Sequence, residues 1–378
     1  MTKPPLKPST IAARAAGAMG ADGAIVPGVE VSTTFSRGRD YALIGSGSYG
    51  RDHNVTVAQA EEVIRQLEGA VATRLFGSGM AAVAAVFQSL PVGARAVVQS
   101  GIYWGVSHWL QGFCAKRGIT LDTVDTSDAE AIAAALVQPA DLVWIEVPSN
   151  PWLRVTDIAR VAKLAHGAGA VLAVDGTAAT PVLTQSLTMG ADISMHSATK
   201  AMNGHSDMLA GVLSCQDESL PIWADICAQR AEAGALLGPM EAWLLMRGLR
   251  TLPLRVDRMC ATAQIVADAL AGHKQVEAVW YPGLTGNPGH HLAAKQMCGG
   301  FGYLMSVIVK GGAEAALAAA GRLELIHRAT SLGGTETLVE HRATIEPQSG
   351  IPDGLLRLSI GLEDPGDLIA DLEQALEG

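Results

Sequence analysis

With 378 residues, 49% of them hydrophobic and 17% charged, the chain can bury a large core and is long enough for two domains. A formal net charge of -10 argues against nonspecific attachment to nucleic acid or anionic membranes, neither of which attracts an acidic surface. Cys114, Cys215, Cys227, Cys260 and Cys298 are scattered, with no CxxC pair or matching Cys/His cluster, and Met1 to Gly20 has no apolar core segment; the expectation is a cytoplasmic protein without disulfides, structural zinc, signal peptide or membrane span.

In chain order, residues 1–50 are rich in Gly, Pro, Ser and Thr and lack periodicity, which suggests an extended arm that finds its partner surface elsewhere, for instance on a second subunit. From about Val71 to Ser214, short apolar, β-branched runs alternate with longer alanine-rich segments, the pattern of parallel strands joined by helices. Strands are expected at Val71–Phe76, Ala94–Gln99, Thr120–Val124, Leu142–Val147, Ala170–Asp175, Asp192–His196 and Leu209–Ser214, which makes one large α/β domain over 51–238. After Gly238 the pattern shifts to helices at Pro239–Leu249 and Val256–Ala271, strands at Val276–Tyr281, Gly302–Lys310 and Leu355–Ile360, and a closing helix at Asp367–Leu376. Residues 239–378 therefore read as a smaller α+β domain.

The candidate chemistry gathers where these strands end. Gly77-Ser78-Gly79-Met80 follows the first strand and opens a helix, so the N–H groups of Gly79 and Met80 can face a phosphate, although by itself the run is an ordinary strand-to-helix turn. Asp175 closes a strand at the end where ligands collect in open parallel sheets, and its carboxylate can keep a heteroaromatic nitrogen protonated; alone it reads as a cap or turn former. Lys200 follows an apolar strand, a setting for an imine-forming amine with a lowered pKa, and Ser197 and Thr199 beside it add hydroxyl donors. Arg357 lies among apolar neighbours in a short strand, where it meets either an anionic ligand or a structural salt bridge. These pieces suit pyridoxal 5'-phosphate (PLP). The competing reading is a nonenzymatic α/β protein that binds a phosphate ligand at the Gly77 turn, but no GxGxxG or GxxxxGKS/T accompanies it.

Val174-Asp175-Gly176-Thr177 and His196-Ser197-Ala198-Thr199-Lys200, with Tyr49-Gly50-Arg51, Glu146-Val147-Pro148-Ser149-Asn150-Pro151, Arg247-Gly248-Leu249-Arg250, Ser331-Leu332-Gly333-Gly334 and Arg357-Leu358-Ser359-Ile360-Gly361, resemble in order the motifs of the Cys/Met-metabolism PLP enzymes. The resemblance implies fold type I: a large domain with a mainly parallel seven-stranded sheet and a smaller α+β C-terminal domain. It further implies that Lys200 joins the cofactor as an imine and later moves the Cα proton, while Asp175 contacts the ring nitrogen. Ser78, Gly79, Met80, Ser197 and Thr199 would hold the phosphate. Tyr103 would stack on the ring and relay protons, and Asn150 would lie beside the phenolic oxygen. Tyr49 and Arg51 would reach the phosphate of a neighbouring subunit, within a homotetramer built of shared-site dimers. Ser331 and Arg357 would receive the α-carboxylate of a sulfur amino acid. His196 and His205 fall in motif positions that set the lysine loop and receive no catalytic role.

The activity implied first is a carbon–sulfur lyase, cystathionine β-lyase, which converts cystathionine to homocysteine, pyruvate and ammonia. Cystathionine γ-lyase, methionine γ-lyase and cystathionine γ-synthase are the alternatives within the family. Thr330, where cystathionine γ-synthases and γ-lyases carry Glu and enterobacterial-type β-lyases carry Tyr, together with Trp104, Glu30 and the polar Glu340-His341-Arg342, departs from the pattern and is expected to reshape the substrate pocket.

Overall fold

The computed structural model describes residues 6–20 and 22–378; residues 1–5 and 21 of the expected arm lie outside the described residues. Seven strands form the large sheet: β1 (Ala72–Phe76), β2 (Arg95–Gln99), β3 (Thr120–Val124), β4 (Leu142–Glu146), β5 (Val171–Asp175), β6 (Ile193–Ser197) and β7 (Gly211–Cys215). Their order is β1-β7-β6-β5-β4-β2-β3. Every expected strand is present, with ends displaced by one or two residues. β7 runs antiparallel to both of its neighbours, whereas β6, β5, β4, β2 and β3 pair in parallel.

The sheet is covered on both faces, so its central strands are largely apolar but still sort by alternation, whereas the edge strand β3 carries Asp122 and two threonines. In β4, Val143 and Ile145 join one core, while Leu142 and Trp144 point into the other. The first core packs against the helices Val55–Glu68, Ile158–Gly167 and Pro239–Leu249, and the second against Gly79–Gln88, Trp104–Arg117 and Pro221–Ala233. Asn54 fixes the start of the first helix by accepting the N–H groups of Thr56 and Val57, and Gly69, with φ +64°, ends it.

A second sheet has the order β10-β11-β12-β9-β8, made of β8 (Val276–Trp280), β9 (Leu304–Val309), β10 (His327–Arg328), β11 (Leu338–His341) and β12 (Leu355–Ser359). β10 and β11 have no counterpart among the expected strands; one is two exposed residues long, and the other carries Glu340 and His341 inside a short polar stretch. The arm also differs from expectation at its start. Pro8–Ala13 is helical, and Ile11 and Ala12 from this helix, with Ala15 just beyond it, bury in the chain's own first core. Trp243 Nε1 donates to Pro27 O at 3.0 Å, and beyond it Val31, Tyr41, Ile44 and Tyr49 are exposed. Among the described residues no helix is long and apolar enough to cross a membrane.

One close approach sets the depth of the site. β7 lies against the turn after β1 so tightly that a Cβ on Gly211 would stand 2.1 Å from Ser78 O. Gly211→Ala should therefore displace that turn and destabilise the fold by about 1–3 kcal/mol, the usual range for overpacking. A urea denaturation midpoint equal to that of the parent would contradict this.

Candidate active site

Because β4, β5 and β6 run in parallel, their carboxyl ends deliver Glu146, Asp175 and Ser197 to one edge of the sheet. The turn after β1 brings Ser78 to the same edge, and the segment after β6 brings Lys200. These residues line a cavity of about 460 Å³ that also includes Gly79, Met80, Tyr103, Asn150, Thr199, Thr330, Ser331 and Arg357. Eleven of the thirteen residues expected from the sequence to form the site thus meet in one place. The two others, Tyr49 and Arg51, are absent from the lining; they stack on each other at 5.5 Å on the exposed part of the arm.

The phosphate end is a compact cup. Ser78 Oγ caps the helix Gly79–Gln88 by accepting Ala81 N–H at 3.1 Å, which leaves the N–H groups of Gly79 and Met80 without an intrahelical partner. A Cβ on Gly79 would lie 2.8 Å from Ser197 Oγ, so glycine is what lets the helix start close over that hydroxyl. Thr199 is less free than its neighbours: its hydroxyl accepts Ala210 N–H at 3.0 Å and faces Ala210 O at 3.3 Å.

Asp175 is oriented from one side. Its Oδ1 accepts the N–H and the hydroxyl of Thr177 at 2.9 and 2.5 Å, while Thr177 Oγ1 in turn accepts Ser197 N–H at 2.8 Å. Burial raises the Asp175 pKa; the Thr177 bonds and the charge of His196 oppose that rise. His196 Nε2 is paired with Glu68 Oε1, deep beneath the sheet edge. Burial by itself would lower the His196 pKa, but Glu68 and Asp175 hold it above its ordinary value. Glu68 carries no motif role in the sequence; the signal was only a carboxylate on the buried face of a helix.

Glu146 was also missed as a functional residue, although a carboxylate ending an otherwise apolar strand marked it. Its Oε2 accepts Tyr103 N–H and its Oε1 accepts Asn150 N–H, both at 2.7 Å, so one side chain fixes two of the expected cofactor contacts. Burial and Asp175 raise its pKa to about 8 against those two N–H donors.

On the opposite wall, Lys200 Nζ donates to Ser331 Oγ at 2.9 Å, and Ser331 has φ +89°, a conformation stabilised here by the contacts around it. Arg357 Nη2 donates to Ser331 O at 2.7 Å, and its Nη1 reaches Asn150 Oδ1 at 3.4 Å. The two alternatives for Arg357 meet in this geometry: it lines the cavity and also pairs with Glu340 at 2.6 Å.

The donor set fits PLP: amide N–H groups and hydroxyls at one end, a carboxylate for the ring nitrogen, a tyrosine ring at the side and a single amine for the carbonyl carbon. Burial lowers the Lys200 pKa to about 8, Arg357 adds repulsion, and Glu340 offsets part of it. Below that value the amine is protonated and unreactive, and above it the amine is free. In the cofactor-free protein, labelling of Lys200 by an amine-selective acylating reagent, followed by peptide mass spectrometry, should titrate with a midpoint near pH 8; a midpoint near that of an exposed lysine, about 10.4, would contradict the burial.

Comparison with known proteins agrees with this geometry. The family model described as Cys/Met metabolism PLP-dependent enzyme matches residues 9–377. The cystathionine gamma-synthase of Mycobacterium tuberculosis is 38% identical over 363 residues, covering 94% of this chain and 93% of that protein. The cystathionine beta-lyase of Lactococcus lactis subsp. lactis is 38% identical over 338 residues, covering 87% and 88%. The solved structure of cystathionine gamma synthase from Xanthomonas oryzae pv. oryzae superimposes with a TM-score of 0.93 at 37% identity, over 99% of this chain and 98% of that one. The chain is therefore a fold type I enzyme that uses pyridoxal 5'-phosphate and belongs to the Cys/Met metabolism PLP-dependent family.

Proposed function

We propose that the chain is a carbon–sulfur lyase whose first substrate is cystathionine, cleaved by β-elimination to homocysteine, pyruvate and ammonia. The observation that supports this most is the placement of Lys200 Nζ against Ser331 on the wall that holds Arg357, with Lys200 the only amine among the residues that line the cavity. When bound, the cofactor supplies an electron sink conjugated to the substrate Cα. Arg357, supported by Ser331 O and Asn150 Oδ1, grips the α-carboxylate and so presents the Cα proton to Lys200 Nζ. An amine with a pKa of about 8 has a substantial neutral fraction near neutrality, which is what a general base needs. With the cofactor bound, Asp175 would keep the ring nitrogen protonated, Tyr103 would cover the ring, and Lys200 or Tyr103 would return a proton to the departing sulfur.

One proton removal suffices for β-elimination, and Lys200 provides it. γ-Chemistry needs a second removal at Cβ; Thr330 supplies no base for it, so Lys200 or Tyr103 would have to make both transfers. The second reading is γ-replacement, favoured by the relatives named cystathionine gamma-synthase. Incubation with cystathionine should yield pyruvate and homocysteine; 2-oxobutyrate and cysteine, or a product formed only when cysteine and an activated homoserine are supplied, would replace the first reading.

Tyr49 and Arg51 enter the proposal as donors to the phosphate of an adjacent subunit, in a homotetramer of shared-site dimers. If so, Arg51→Ala and Lys200→Ala proteins should each lose activity, and refolding the two together should recover about a quarter of the parent activity, because each mixed dimer retains one intact site. Absence of recovery in a mixture shown to contain mixed dimers would argue for sites completed within one chain.

A further inference from the structure

The cavity wall beyond Arg357 carries a row of buried charges of alternating sign. Glu340 Oε2 lies 2.6 Å from Arg357 Nη2 and 2.9 Å from Arg342 Nη1, so one oxygen bridges two guanidinium groups. Arg342 Nη2 then pairs with Glu346 Oε1, one helical turn further on. All four residues line the cavity, and none of the four side chains is more than 5% exposed. The row follows from local structure. Glu340 faces Arg357 in the β11–β12 register, and Arg342 opens the short helix Arg342–Ile345, which places Glu346 four residues on. Arg342 Nε, Arg342 Nη2, Glu346 Oε1 and Arg357 Nε find no hydrogen-bond partner among the described residues, so the Arg342–Glu346 contact is an ion pair without a formed hydrogen bond.

Buried ion pairs of this kind add little net stability over apolar side chains of the same volume, so the row is not explained by folding alone. Two cations and two anions sum to zero while the cavity holds no substrate. An α-carboxylate on Arg357 adds a negative charge to a region from which water is largely excluded, and Coulomb repulsion there is poorly screened. A substrate whose side chain ends in another bare carboxylate increases the imbalance. One that ends in an ammonium beside a carboxylate adds no net charge and can pair both of its charges, the ammonium with Glu346 and the carboxylate with Arg342.

We infer that Arg342 and Glu346 form a specificity subsite for the far end of the substrate, selecting side chains that end in an amino-acid zwitterion over those that end in a bare carboxylate or an uncharged alkyl group. This rests on the reading of Arg357 as the α-carboxylate anchor.

Three thioethers on the holoenzyme test it: L-cystathionine, S-(3-carboxypropyl)-L-cysteine, which lacks only the distal ammonium, and S-propyl-L-cysteine, which lacks both charges. Dissociation constants from the change in cofactor absorbance, and kcat/KM where turnover occurs, should rank cystathionine first and the carboxypropyl compound last. Arg342→Gln and Glu346→Gln should each reduce the preference for cystathionine over S-propyl-L-cysteine by roughly tenfold, the scale of a lost hydrogen bond to a charged group. Glu346→Gln should also relieve the discrimination against the carboxypropyl compound. The double variant, which keeps the row neutral, controls for folding and should show no preference. Equal binding of the three ligands by the parent, or an equal loss for all three in the single variants, would overturn the subsite. Discrimination in binding without carbon–sulfur cleavage would leave the subsite standing and remove the lyase reading instead.

Discussion

Keeping charged groups ionised where water has been excluded is the constraint on which this molecule depends. Asp175 stands at the mouth of a sheet whose strands are apolar on both faces, and burial favours its neutral form. What opposes burial is local: two bonds from Thr177 and, behind them, a histidine whose pKa is raised by Glu68. The parallel arrangement of β4, β5 and β6 makes this possible, because it brings three strand ends together while their alternating side chains fill two separate cores. The tight contact of Gly211 with Ser78 O closes the cup on the side where β7 turns back.

Much of this was legible in the sequence. Continuous β-branched runs between alanine-rich helices announced the large sheet, because strands buried on both faces need apolar residues at every position. Eleven of the residues that line the cavity were also visible, since each sits at a strand end or in a motif with its own composition. The edge of the second sheet was not. β10 and β11 are short and partly polar, so neither length nor alternation separates them from a loop. Long-range pairs were hidden for a different reason: Glu68 and His196 are 128 residues apart, and nothing in either segment names the other. Glu340, Arg342 and Glu346 stood out only as unusual polarity, and their alternating order depends on the register of β11 with β12.

The two walls of the cavity differ in kind. On the sheet side, positions are set by backbone geometry and by hydroxyl and amide bonds, which suits a group that stays bound through many turnovers. On the side of Ser331, Arg357 and Glu340, positions are set by ion pairs between long side chains, which can exchange partners when a carboxylate arrives. Lys200 stands between the two, bonded to Ser331 and following the strand end that carries Ser197. The role proposed for Lys200, a base that serves both a permanent and a passing ligand, calls for that intermediate position.

Glu146 links the walls more directly. One of its oxygens holds the backbone of Tyr103, the other holds that of Asn150, and Asn150 reaches Arg357. Tyr103 and Arg357, the side chains proposed to cover the cofactor and to receive the substrate, are therefore the two ends of one hydrogen-bonded chain with the buried Glu146 at its centre. Whatever tightens one end reduces the conformational freedom remaining at the other, so the occupancies of the two ligand positions form a single linked equilibrium, with the same coupling free energy in either order of binding.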